Sequence, residues 1–221
     1  MENSLNLLEA RNLKSQKNMK KLEYIKNGNI CEPQIQSGVN IIIHCCNDIP
    51  VMGSGVAKAL YTQWPQVKEQ YLLWHKMTEE GFHTDEELGI DNHSDKYQYH
   101  FPDPDKRNFA LGNVQLISVE TGIEIGVSNA LVGNIIGQHN IYPNKVGMPP
   151  VRYSAIDYAC GLIAKNASES ELGFTIHVPY LMGCDLAGGK WDIIERILLD
   201  NFKNNGISCL AYDLFGKYPD Y

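Results

Sequence analysis

The residues best suited to chemistry sit in two stretches where glycines follow an apolar run and precede an amphipathic one. The first is HCCNDIPVMGSGVAKAL, 44–60, in which Asn47 and Asp48 turn the chain and Gly53-Ser54-Gly55 leads into a helix beginning at Val56. With no Cβ in the way, backbone N–H groups at such a junction can approach a phosphate, and the helix dipole adds partial positive charge. The second is VPYLMGCDLAGGKW, 178–191, where Gly183, Gly188 and Gly189 flank Cys184-Asp185-Leu186-Ala187. Either stretch alone reads as an ordinary strand–helix turn. Two of them at equivalent strand ends point to a cleft that grips a diphosphate from both sides. Neither matches G-x-x-x-x-G-K-[ST] or G-x-G-x-x-G, which argues against a nucleoside triphosphatase and a conventional dehydrogenase.

Proton chemistry falls to His44, just before the first loop, and to Asp185 inside the second. His44 suits a general acid/base, or a nucleophile toward a terminal phosphate. Asp185 suits a group that orients water or the histidine. Each also has a structural reading: a core histidine satisfied by backbone, and an N-terminal helix cap. Cys45, Cys46 and Cys184 read as small buried fillers. His75, His83, His93 and His100 are spaced at 8, 10 and 7, which fits no metal template, so no metal is expected.

The charge balance says how an anion would be held. At a net −7, the chain has no basic stripe for nucleic acid, so backbone N–H groups and helix N-termini must hold a phosphate. Cysteines at 31, 45, 46, 160, 184 and 209 form no C-x-x-C pair, and no 18-residue apolar stretch or signal-like core occurs. A reduced, cytoplasmic setting is expected, with no membrane or nucleic-acid partner and no cofactor.

Alternating strands and helices position these residues. Strands are predicted at Leu22–Ile25, Asn40–Cys46, Val114–Glu120, Glu124–Val132, Phe174–Pro179 and Ser208–Leu214. Of these, the third and fourth form a hairpin through Thr121-Gly122. Helices are predicted from Gly53, over Val67–Met77, Tyr153–Ala164 and Trp191–Phe202, and Trp64, Trp74 and Trp191 serve packing. This pattern gives an α/β protein with a mixed, mostly parallel sheet covered on both faces. Residues 1–20 read as a polar arm, and 21–221 as a single domain with an acidic surface insertion at about 79–107. From 79 to 105 that insertion carries a net −8.

The motifs also carry a family resemblance. From about Leu22 to Phe215 the chain resembles macrodomains, in particular the branch of the yeast ADP-ribose 1''-phosphate phosphatase and its phage and bacterial relatives. YIKNGNICEP looks like that branch's opening strand and Gly-Asn-Ile turn. IIIHCCND…GSGVAKAL resembles its His-x-Cys-Asn and glycine-rich helix start, and PYLMGCDLAGGKW its Gly-Cys-Gly-Leu-Ala-Gly-Gly-x-Trp loop. The resemblance implies a three-layer α/β/α sandwich with ADP-ribose in a cleft. Asn29 and Ile30 would lie at the adenine, and Asn47 would bond the distal ribose. Gly53, Ser54, Gly55 and Val56 would hold the diphosphate through backbone amides, as would Gly183, Cys184, Leu186, Ala187 and Gly188. Leu214 and Phe215 would pack on the adenine. Gln138 and His139, in the middle loop, read either as residues lining the distal ribose or as loop filler.

Two departures from the family pattern stand out. Gly137-Gln138 and Ala187 occupy the places where a neighbouring branch of ADP-ribosyl-glutamate hydrolases carries its lysine and aspartate. Asp185 replaces a glycine, putting a carboxylate near a diphosphate. Two functions therefore stay open. One is hydrolysis of ADP-ribose 1''-phosphate or a related adduct. The other is non-catalytic capture of ADP-ribose, an ADP-ribosylated protein or a related nucleotide signal. No protein partner is indicated.

Overall fold

In the computed structural model, residues 21–80, 99–100, 108–121 and 130–218 are described. The polar arm at 1–20, most of the acidic insertion and residues 122–129 lie outside them. The elements run β1 (Glu23–Lys26), β2 (Val39–Asn47), α1 (Gly55–Gln63), α2 (Gln66–Glu80), β3 (Tyr99–His100) and β4 (Val114–Val119). They continue with β5 (Ala130–Gln138), α3 (Tyr153–Ser168), β6 (Phe174–Pro179), α4 (Trp191–Asn201), a 3-10 turn (Lys203–Asn205) and β7 (Ser208–Asp213).

The sheet order is β1-β7-β6-β2-β5-β4-β3. The first five strands in that order are mutually parallel, while β4 pairs antiparallel with both β5 and β3. In β2 the apolar run does not alternate because both faces are covered. Ile41 and Ile43 face a layer made by Ile156, Ala159, Cys160 and Ile163 of α3 with Ile194 and Leu198 of α4. Ile42 and Cys46 face the opposite layer, with Leu60 of α1 and Val67, Tyr71 and Trp74 of α2. Each large apolar side chain fully buried in this way contributes roughly 1.5–3 kcal/mol. The result is the expected three-layer α/β/α sandwich.

Two elements differ from expectation. The partner of β4 is Ala130–Gln138, with Val114 opposite Ile135 and Val119 opposite Ala130; the first part of the expected strand Glu124–Val132, with Gly122 of its turn, lies outside the described residues. The strand runs on to Gln138, beyond the expected end at Val132, because Ile135 and Ile136 are buried against the two helical layers. Gly137 and Gln138 thus end a strand, and the loop begins at His139. The second difference lies in the acidic insertion, which supplies β3, an edge strand that its composition does not announce.

Candidate functional site

Because β1, β7, β6, β2 and β5 are parallel, the loops after all five leave from the same edge of the sheet. Ligands of open α/β sheets bind at this edge. Hydrogen bonds tie its loops together. Asp48, after β2, accepts the Asn140 N–H from the loop after β5 at 2.7 Å. Val151 N–H, at the end of that loop, donates to Ala187 O in the loop after β6 at 3.1 Å. The loops after β1 and β7 also abut, since a Cβ on Gly216 would lie 3.1 Å from Asn27 Oδ1.

The first glycine loop ends at an uncapped helix. Ser54 is extended and makes no side-chain cap, so the N–H groups of Gly53, Ser54, Gly55 and Val56 have no protein acceptor among the described residues. Gly55 has φ +56, and a Cβ on Gly53 or Gly55 would meet nothing within 4 Å. This junction is open space faced by donors. Asn47 holds its shape: its Nδ2 donates to Val51 O at 2.7 Å, its Oδ1 accepts the Ile49 N–H at 3.2 Å, and the Tyr71 hydroxyl lies 2.8 Å from its carbonyl oxygen. Asn47 is therefore engaged within the loop, and Tyr71, which sequence reasoning assigned only to a helix, supports it from below.

The second loop closes on itself. Cys184 N–H donates to Leu181 O at 2.9 Å, and Gly188 N–H donates to Asp185 O at 3.0 Å. Gly189 N–H donates to Gly183 O at 3.0 Å, an approach so close that a Cβ on Gly189 would lie 2.4 Å from that oxygen. The N–H groups of Gly183, Asp185, Leu186 and Ala187 have no protein acceptor among the described residues. Leu186 and Asp185 are exposed at its tip, while Ala187 is buried. Asp185 is not a helix cap, because the cap position of α4 is Lys190.

His44 is placed differently from the catalytic expectation. It is 1% exposed, and its Nε2 lies 2.6 Å from Asn134 Oδ1. Asn134 Nδ2 donates in turn to Val67 O at 3.1 Å and to Gln115 Oε1 at 3.2 Å. This polar network is buried between the sheet and α2. Burial pushes the imidazole down to about 4, against the opposing effect of the Asn134 hydrogen bond. His44 is a neutral core histidine. Burial likewise raises the Cys45 thiol to about 12 and Cys184 to about 11, which leaves neither as a thiolate nucleophile.

At the β1/β7 end, Asn29 Oδ1 accepts the Cys31 N–H at 3.0 Å, and Ile30 is buried beside it. The buried Asp213 carboxylate accepts N–H groups of Phe215 at 3.3 Å and Tyr218 at 2.6 Å. That fixes the turn presenting Leu214 and Phe215, which are 53% and 72% exposed. At the other end, Gln138 closes β5, and His139 Nδ1 lies 2.6 Å from Asp48 Oδ2. Asp48 and Asp213 escaped sequence reasoning: the first read only as a turn residue, the second only as the end of a strand. Among the described residues, no group of three or more His, Cys, Asp or Glu is placed to hold a metal, and no helix is long and apolar enough to cross a membrane.

No family model matches the chain, and no curated protein matches it. Among solved structures, it is similar to a protein of unknown function from Bacteroides thetaiotaomicron, 32% identical over 89% of this chain and 99% of that one, with a TM-score of 0.66. It is also similar to a macrodomain protein from Streptomyces coelicolor, 29% identical over 87% and 99%, with a TM-score of 0.59. The fold alone is shared with Thermosipho africanus DarTG, solved in complex with ADP-ribose, at 15% identity, TM-score 0.59, and coverage of 91% of this chain and 43% of that one. With the three motifs in order and the five-strand parallel edge, the chain has the fold of the macrodomain protein it is similar to.

Proposed function

We propose that this protein binds ADP-ribose or a derivative along the loop edge, and hydrolyses ADP-ribose 1''-phosphate or a related O-linked adduct. One observation carries the reading: the strand order arranges the candidate residues in the order of the ligand's parts. Asn29, Ile30, Leu214 and Phe215 come first, after β1 and β7, and suit an adenosine. The two glycine loops follow, after β6 and β2, and their N–H groups with no acceptor among the described residues suit a diphosphate. Gln138 and His139 come last, after β5, and suit the distal ribose. Four strand gaps span ~19 Å. The DarTG complex with ADP-ribose and the resemblance of the motifs to the phosphatase branch support the same ligand.

The burial of His44 favours a second reading, capture without turnover, because it removes one expected proton-transfer group from the edge. Asp185 remains on the exposed loop as a group that could orient water. Calorimetric titration with ADP-ribose, alongside AMP and ribose 5-phosphate, tests the binding reading. Saturable binding of ADP-ribose, tighter than either fragment, is expected; no heat with ADP-ribose would sink it. Phosphate release from ADP-ribose 1''-phosphate then separates enzyme from binder.

A further inference from the structure

We propose that Asp48 and His139 form a general-base dyad at the distal end of this edge, acting on adducts linked through oxygen to C1'' of the distal ribose. The inference rests on the ADP-ribose reading above, and it replaces His44 as the source of proton chemistry.

Two adjacent parallel strands meet here at their ends, β2 delivering Asp48 and β5 delivering His139. The residues are 91 apart in sequence, and both backbones are held. Asp48 N–H donates to Gln138 O at 2.9 Å, and His139 N–H donates to Pro150 O at 2.8 Å. The carboxylate is shared between two donors, the Asn140 N–H on Oδ1 at 2.7 Å and the His139 ring on Oδ2 at 2.6 Å. The Asp48 side chain is 17% exposed, whereas that of His139 is 57% exposed. A carboxylate only accepts, so Nδ1 carries the proton on that side, and Nε2 is the ring nitrogen left to take a proton from water. Nε2 has no protein partner among the described residues. The i,i+4 pairs Lys76–Glu80 and Arg196–Asp200 are exposed at both partners. Here the carboxylate is shielded and pinned, and the imidazole faces outward.

Such a ring removes a proton from water. The water oxygen bonds to C1'' as its proton passes to Nε2, and the C1''–O bond breaks with its electron pair staying on the departing oxygen. The products are ADP-ribose with a free 1''-hydroxyl and the released carboxylate or phosphate, and the imidazolium returns its proton to solvent. A base that acts on water does nothing for the leaving group, so the substrate class is adducts whose leaving groups depart unprotonated. Phosphates and carboxylates qualify; a guanidinium-linked ADP-ribose does not.

The test uses the full chain with ADP-ribose 1''-phosphate in ¹⁸O-labelled water. The wild type is expected to place the label in ADP-ribose, and His139→Ala to lose roughly 10²-fold or more in kcat. The unfolding midpoint should not change, because the removed ring is half exposed. Added imidazole should restore part of the His139→Ala rate. Asp48→Asn, which can still accept the Asn140 N–H, should lower kcat with KM unchanged, as a positioning residue does. Full kcat in His139→Ala, label in the phosphate, or a wild type that binds ADP-ribose yet releases nothing would each overturn the dyad. A wild type that binds no ADP-ribose would overturn the underlying reading as well.

Discussion

His44 and His177 are both neutral imidazoles sealed in the core, and they make the fold sensitive to acid. His177 has Nδ1 3.0 Å from the Tyr212 hydroxyl and Nε2 3.0 Å from Asn40 Oδ1, and burial pushes it, like His44, down to about 4. An unfolded histidine protonates near pH ~6.5. Between about 6.5 and 4 the unfolded chain therefore binds protons that the native chain does not, and stability falls as pH falls through that window. Each histidine contributes on the order of 3 kcal/mol, fully present above the unfolded value and lost by about pH 4. Denaturant midpoints measured at pH 7.5, 5.5 and 4.5 should decline in that order, and a flat profile would contradict this account. Asn134→Leu should cost on the order of 3 kcal/mol, because the His44 ring N–H and Gln115 Oε1 both lose their partner. Of these residues, the sequence singles out His44 as chemically interesting. It does not reveal which way the ring points, because the partner, Asn134, comes from a strand 90 residues away.

At the scale of elements, the edge depends on backbone held in particular shapes. Gly189→Ala sets a Cβ 2.4 Å from the Gly183 carbonyl oxygen, so the second loop must open. A stability loss of about 1–3 kcal/mol is expected, together with an ADP-ribose affinity weakened more than tenfold, read by thermal unfolding and calorimetry. Phe215→Ala should behave differently. The ring is 72% exposed, so the unfolding midpoint should barely move. Affinity for AMP and ADP-ribose should drop while that for ribose 5-phosphate stays put, and equal losses for all three would exclude an adenine contact. Helices α1 to α4 and strands β2, β6 and β7 were legible because their apolar periodicity matches what each element buries. The far end of β5 was not, because its extension to Gln138 is set by the packing of Ile135 and Ile136 against the two helical layers.

For the whole molecule, the net charge of −7 and an edge built from backbone N–H groups give an unusual salt signature for anion binding. A site made of Lys and Arg loses affinity as salt rises. Here the long-range field is repulsive and salt screens it, so ADP-ribose affinity should hold or rise slightly between 20 and ~200 mM salt. A steep fall, measured by calorimetry, would indicate a cationic site instead. By itself the sequence determined the layered α/β fold and the two glycine loops, because these rest on local glycine chemistry and on burial periodicity. The tertiary structure decided the rest: which strand ends share an edge, that His44 faces a polar network in the core, and that Asp48 meets His139. Contacts between residues some 90 positions apart depend on strand order and register, which only the packed sheet sets.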